Sequence, residues 1–343
     1  MAGHLERVRG RILSLLALED QELIAAVAGD AAPEVSEQLL SFDPAAATRR
    51  NHAAGVSAIC RHHHSYPRAL LSLEAPPAVL HIAGRGAEEL GRMEACEPVA
   101  IVGTRRASAY GLQLAGSLGR GLGSVGVPVI SGMALGIDSA AHAGVLEGRG
   151  ATMAVLASGA EHPYPPSKRR LYERICAEGV VVSELPPGSG VWKWAFPARN
   201  RIVAAMAVMT IVVEAGAGSG ALITAGLAEE LGRAVGAVPG RVSTAGAAGP
   251  NALIAGGAHL IADPQDVLDI VFGAGGRTVP SRPRAELTPA LQHLLAEIAG
   301  GNDTAAALEG SGAGAERGLA ALAALELAGY VVREPGGRFT VTS

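Results

Sequence analysis

One local event, repeated between Val99 and Pro239, constrains this chain most: a short apolar run stops at a turn rich in Gly, Ser or Arg, and a helix-like stretch follows. The first case is Val99-Ala100-Ile101-Val102-Gly103-Thr104-Arg105-Arg106, a β-branched run that breaks at glycine and delivers an arginine. A parallel strand ends in this way at a ligand crevice. Three more such loops follow, at Ile130–Asp138, Phe196–Arg201 and Glu214–Thr224. The spacing predicts strands at Val99–Val102, Val127–Ile130, Thr152–Leu156, Val180–Ser183, Thr210–Val213, Val235–Val238 and His259–Ile261. Helices are predicted at Leu112–Gly121, Asp138–Glu147, Ser167–Glu178, Arg199–Met206, Ala221–Leu231 and Pro250–Gly256. Strands and helices alternating at this interval make an α/β, doubly wound, mostly parallel sheet. In such a sheet the carboxyl ends of the strands, with helix N-termini facing them, form the binding edge. All four loops fall on that edge.

The flanks differ in character. Residues 1–58 read as a small helical domain, with Leu13, Leu15, Leu16, Leu18, Leu23, Ile24, Val27, Leu39 and Leu40 on apolar stripes and a break at Asp30–Pro33. Residues 59–272 form the α/β domain, and the Gly-, Pro- and Arg-rich stretch 273–286 reads as a linker. In 287–343, Thr288 and Pro289 open a helix, a second helix spans Glu316–Ala328, and an alternating tail turns at Gly336-Gly337. Helices followed by a hairpin suggest a winged-helix-like module, and a merely packing or protein-binding tail would read the same way.

At 343 residues the chain is long enough for one large domain with small appendages. No apolar stretch is long enough for a membrane span, so a cytoplasmic protein without membrane contact is expected. Cys60, Cys96 and Cys176 are isolated, and His62-His63-His64 has no partners at ligand spacing, so no metal site is expected. The net charge of −4 requires that any anionic partner be held by a local patch. Such a patch lies at 161–201, with Lys168, Arg169, Arg170, Arg174, Lys193, Arg199 and Arg201 against Glu161, Glu173, Glu178 and Glu184.

The chemistry of the loops narrows the function. Gly103-Thr104-Arg105 is not the dinucleotide fingerprint, no Gly-Lys-Ser/Thr exists and no nucleophile elbow is present, which disfavours hydride transfer, ATP hydrolysis and esterase chemistry. What remains is backbone donors at glycines and helix starts, with Arg105, Arg199 and Arg201 as planar phosphate forks. Several phosphate seats along one edge fit a polyanion. Aromatic residues are 3% of the chain, yet Trp192, Trp194 and Phe196 alternate beside Lys193. Cationic and flat aromatic groups interleave in this way in single-strand nucleic-acid grooves, although the tryptophans could equally plug an apolar gap. Asp138, Glu184 and Glu214 are available as acids or bases. Capping by Asp138 and orienting of arginines by the two glutamates are the simpler roles. His142, one turn after Asp138, has no paired nucleophile in view.

Taken in order, Ile101-Val102-Gly103-Thr104-Arg105, Ser131-Gly132-Met133-Ala134-Leu135-Gly136-Ile137-Asp138, Tyr164-Pro165, Phe196-Pro197-Ala198-Arg199-Asn200-Arg201, Gly218-Ser219-Gly220-Ala221-Leu222-Ile223-Thr224 and Ala237-Val238-Pro239-Gly240 resemble the DprA/Smf family of bacterial DNA-processing proteins, over roughly residues 60–270. The resemblance implies an extended Rossmann-like domain that binds single-stranded DNA, forms homodimers and helps load RecA in natural transformation and recombination. It implies no cofactor, no metal and no catalytic residues. By position it assigns DNA contacts to Arg105, Lys193, Phe196, Gly218, Ser219 and Gly220, and with the loops that carry the resemblance the expected contact set also includes Gly103, Thr104, Ser131, Gly132, Arg199, Asn200 and Arg201. Ser158-Gly159-Ala160-Glu161-His162 departs from the family's glycine-and-aspartate version of that loop. The competing reading is an enzyme on a related fold, a nucleotide phosphoribohydrolase. That activity needs a Pro-Gly-Gly-x-Gly-Thr loop, where this chain has Ala215-Gly216-Ala217-Gly218-Ser219-Gly220.

Overall fold

The computed structural model describes residues 20–279, 287–304, 315–327, 330–334 and 337–341. Leu13, Leu15, Leu16 and Leu18, the side chains of Leu23 and Val27, linker residues 280–286, Ala328 and Gly336 lie outside them. Backbone contacts divide the chain into two units, Met1–Val279 and Pro280–Ser343.

Among the described residues the first unit begins with α1 (Asp20–Ala28), α2 (Ala32–Ser41) and α3 (Pro44–Ala53). Asp43 caps α3 by accepting from the Ala45 and Ala46 amides, and Pro44 occupies the first turn, where its missing N–H costs nothing. Leu39 and Leu40 of the expected stripe are 46% and 78% exposed, so the stripe finds no described core here.

The rest of the unit is a nine-stranded sheet with helices on both faces. In chain order its elements are β1 (Ser57–Cys60), β2 (Val79–Gly84), α4 (Gly86–Ala95), β3 (Val99–Val102), α5 (Ala109–Ser124), β4 (Val129–Ser131), α6 (Ile137–Glu147), β5 (Thr152–Val155), α7 (Arg169–Glu178), β6 (Val180–Ser183), α8 (Ala195–Met206), β7 (Met209–Val212), α9 (Gly220–Glu230), β8 (Ala234–Ala237), α10 (Ala248–Ala255), β9 (His259–Leu260) and α11 (Pro264–Phe272). The spatial order is β1-β2-β6-β5-β4-β3-β7-β8-β9. From β6 to β9 every pairing is parallel, and β2 joins β6 antiparallel. The chain steps from β3 outward through β4, β5 and β6, then returns to lay β7 on the other flank of β3, Val99 opposite Met209 and Val102 opposite Val212. The strand order therefore reverses between β3 and β7, which makes the gap at their carboxyl ends the switch point of the sheet.

Why these strands are central follows from their composition. Ala100 and Val102 of β3 join Ile130, Val212, Ile202 and Ala225 in the core on one face. Val99 and Ile101 join Val129, Ile211, Leu118, Leu122 and Val145 on the other. A strand buried on both faces has no polar positions to alternate, so it reads as an unbroken apolar run.

Helices α5 and α6 approach so closely that side chains would not fit between them. A Cβ on Gly119 would lie 2.3 Å from the Ala141 carbonyl oxygen, and one on Gly144 would lie 2.1 Å from that of Gly116. These glycines look like helix breakers in sequence, and α5 nevertheless extends three residues beyond the predicted Leu112–Gly121 at each end.

The second unit contains α12 (Pro289–Ala299), α13 (Ala315–Leu327), and an antiparallel pair β10 (Val331–Arg333) and β11 (Phe339–Val341), with a lone bridge between Thr304 and Arg338. Its core holds Ile298, Leu322, Leu325, Val331 and Phe339. Thr288 stands at the N-cap of α12, but its side chain makes no capping bond. Among the described residues no helix is long and apolar enough to cross a membrane, and no cluster of His, Cys, Asp or Glu is arranged to hold a metal ion.

Candidate functional site

The carboxyl ends of β3 and β4 and the starts of α8 and α9 enclose a crevice of about 380 Å³ beside the switch point. Its lining includes Gly103, Thr104, Arg105, Arg106, Gly132, Asp138, Phe196, Arg199, Asn200, Ser219, Gly220 and Thr224.

The arginine loop is fixed from below by Glu214. This buried carboxylate accepts from the Ser108 backbone N–H at 2.9 Å and from the Ser108 hydroxyl, while the Glu214 carbonyl accepts from the Thr104 amide at 2.7 Å. Ser108 in turn caps α5 by accepting from Gly111 N. Gly111 is needed because a Cβ there would meet the Glu214 carboxyl at 2.5 Å. Glu214 therefore holds loop backbone rather than an arginine head group, and it is spent on that task. Held this way, Arg105 and Arg106 are exposed at the rim, and the Arg105 guanidinium lies 4.7 Å above the Phe196 ring. Phe196 also leans on Tyr164, ring centroids 5.9 Å apart.

The floor holds two buried charges, Arg199 and Asp138, each hydrogen-bonded to backbone and within electrostatic reach of the other. Arg199 is 8% exposed and donates to the carbonyls of Gly132, at 2.7 Å, and Val155. Gly132 lets it in, since a Cβ there would lie 2.1 Å from Nη1. Asp138 is 5% exposed and accepts from the Gly132 and Ala134 amides at 3.1 and 3.3 Å. Burial raises the Asp138 carboxyl above its ordinary value against the pull of Arg199, and burial lowers Arg199. Both groups are structural. The loop above them turns at Gly136, with φ +79°, where a Cβ would lie 2.3 Å from the Thr104 carbonyl. Gly136→Ala should therefore lower stability by about 2–4 kcal/mol, combining backbone strain and a steric clash. A urea unfolding curve with an unchanged slope and a lower midpoint checks this.

Behind the floor, His142 Nδ1 lies 2.6 Å from the Thr152 hydroxyl. Burial, aided by the Arg199 charge, holds the imidazole down at about 3. It stays neutral in the fold but protonates near its ordinary value once unfolded. Its contribution is thus complete above that ordinary value and is lost as the pH falls toward the folded one. Between pH 7.5 and 5, stability should fall by about 2 kcal/mol from this group. Buried His81 acts in the same sense, and Asp138, being raised, in the opposite one. Urea midpoints measured across that range should fall in the native chain and flatten in His142→Gln.

Nine of the expected contact residues come together at the crevice: Gly103, Thr104, Arg105, Gly132, Phe196, Arg199, Asn200, Ser219 and Gly220. Asn200 ties α8 to α9 through the Gly220 carbonyl at 3.2 Å, and Ser219 caps α9. Four lie elsewhere. Ser131 is fully buried and donates to the Ile101 carbonyl. Arg201 is taken by Glu184 at 2.6 Å. Lys193 is exposed outside the lining, as is the Gly218 backbone, beside which a Cβ would meet open space. Arg106 and Thr224 line the crevice without having been expected to; the doubled arginine was a usable signal for the first. In the divergent loop, Glu161 accepts from the Gly188 amide at 2.7 Å, so it braces the segment leading to Trp192.

A family model described as DNA recombination-mediator protein A matches residues 57–272. The "Putative DNA processing protein DprA" of Mycobacterium tuberculosis is 45% identical over 185 residues, which are 54% of this chain and 47% of that protein. This chain's match thus spans about half the length of that relative. The crystal structure of DNA processing protein A from Streptococcus pneumoniae superimposes with a TM-score of 0.68 at 32% identity, covering 75% of this chain and 91% of that one. The Helicobacter pylori protein, described for its single-stranded DNA binding mode, gives a TM-score of 0.56 at 28% identity, covering 63% and 95%. An arginine-rimmed crevice beside the switch point of an extended Rossmann-like sheet, and a family match that spans that whole sheet, place this chain in the DNA recombination-mediator protein A (DprA/Smf) family.

Proposed function

We propose that this chain binds single-stranded DNA along the carboxyl edge of the sheet and acts in DNA processing during transformation and recombination. The observation that carries this is the pairing of Arg105 with Phe196 at the crevice rim, a cation and a flat ring presented together beside the N-terminus of α9. Phosphates suit the first and the helix start, and bases suit the second. The likeness to the Helicobacter pylori protein supports the same reading. In this proposal Gly103, Thr104, Gly132, Asn200, Ser219 and Gly220 shape the seat, Lys193 flanks it, and Arg199 supports its floor.

A hydrolase reading needs a free carboxylate in the crevice. Asp138, the one acid of the lining, is occupied by backbone amides, and Glu214 by Ser108. In this proposal the chain binds the strand without cutting it, and the engagement of both carboxylates supports that reading. Delivery of the strand to RecA, action as a homodimer, a cytoplasmic location and a winged-helix role for residues 287–343 belong to the same proposal.

Fluorescence anisotropy of a labelled oligonucleotide, single-stranded and duplex, at two salt concentrations tests it. Salt-sensitive preference for the single strand is expected. Equal binding to duplex, or none, overturns it and puts release of free base from a nucleoside monophosphate next in line.

A further inference from the structure

We propose that Trp192 and Trp194 form a second base-stacking platform, outside the crevice, that carries the bound strand onward from Phe196. This rests on the single-strand reading above and extends it to residues that the crevice does not include.

Both indoles are open to solvent, 58% and 61% exposed, on the turn that leads into α8. An apolar gap-filling role is thereby excluded for the described residues. Among those residues neither indole has a ring partner or a hydrogen bond to its Nε1. Large aromatics are favoured by burial, so two of them standing free on one turn need an occupant.

The turn itself is built. Ala195 donates to the Trp192 carbonyl at 3.1 Å and Ala198 to that of Trp194 at 3.3 Å. Trp194 occupies the N-cap of α8, where Ser, Thr, Asp or Asn would satisfy the helix start, and its side chain makes no capping bond. A local rule is broken here with no return inside the fold, which is the pattern of a functional position.

The surroundings select the occupant. Lys193, between the two tryptophans in sequence, is exposed, and Phe196, two residues after Trp194, lines the crevice beneath Arg105. The turn thus stands next in sequence to a crevice residue and carries a cation, which matches a phosphate-linked run of bases better than an uncharged protein face. Stacking of this kind accepts any base, so the platform adds length rather than sequence preference.

These are the chain's two tryptophans, so its indole fluorescence reports on this turn alone. The full chain is titrated with oligo-dT of about 4 and about 16 nucleotides, the span of known single-strand site sizes. The longer strand should quench the fluorescence strongly and the shorter one weakly. Trp192→Ala and Trp194→Ala should each weaken binding of the longer strand by roughly fivefold to a hundredfold, leave the shorter one unchanged, and be rescued by Phe. Urea midpoints equal to the native value would show that the variants fold.

Saturable binding by anisotropy with an unaltered spectrum, and alanine variants that bind as the native chain does, would overturn the platform while leaving the crevice reading intact. Binding of neither strand removes both readings. Quenching that follows protein concentration without DNA would assign the rings to a second copy of the chain and overturn the platform.

Discussion

Arg105→Glu is expected to lower the affinity for single-stranded DNA by roughly tenfold to a hundredfold at low salt, because one charge-assisted hydrogen bond is replaced by a repulsion. The side chain is exposed, and its one described aromatic neighbour is the Phe196 ring, so the fold should tolerate the change. All sequences should be affected alike, because phosphates carry no sequence information. The plot of log affinity against log salt should become shallower by about 0.7 for each phosphate contact removed from a single strand. Arg105→Lys should fall between the two, since it keeps the charge but loses the flat guanidinium over Phe196. An unchanged slope and affinity in folded Arg105→Glu would move the phosphate seat off this rim.

The second large effect concerns stability. Asp138→Ala leaves the Gly132 and Ala134 amides unpaired and the Arg199 guanidinium without its buried counter-charge. Leaving two buried amides unpaired and a buried guanidinium less well compensated costs about 2–5 kcal/mol. Replacing both with apolar groups of similar size, in Asp138→Leu with Arg199→Met, should recover only the part of the loss that comes from the charges, because the Gly132 and Ala134 amides stay unpaired and the Gly132 and Val155 carbonyls lose their donor. A double-mutant cycle on urea midpoints measures the coupling. If Asp138→Ala is as stable as the native chain, the floor is not held by this pair.

Much of the sheet was legible because its central strands are buried on both faces. Val99–Val102 and Val180–Ser183 are found where the apolar runs begin and end. Strands β1 and β2 were not foreseen as a pair: Ser57 and Cys60 are exposed on the edge, and His81 interrupts β2. Helix α8 starts at Ala195 rather than Arg199, since Pro197 falls in the first turn, where proline is harmless. In the site, the Gly and Arg loops were readable as a group, but the burial of each arginine was not. Arg105, Arg199 and Arg201 look equivalent in sequence; one is exposed, one lies under the floor, and one is bound to Glu184. That difference depends on which carbonyl or carboxylate the fold brings near each guanidinium, and spacing does not encode it.

The bare glycine contact between α5 and α6 has a kinetic consequence. The two helices begin immediately after the Arg105 loop and the Gly132–Gly136 loop, and backbone locked on backbone leaves them one rigid block. The mouth of the crevice is then already shaped before any strand arrives. Encounter with DNA should proceed in a single phase whose rate rises linearly with concentration and drops with salt, with no slower closing step behind it.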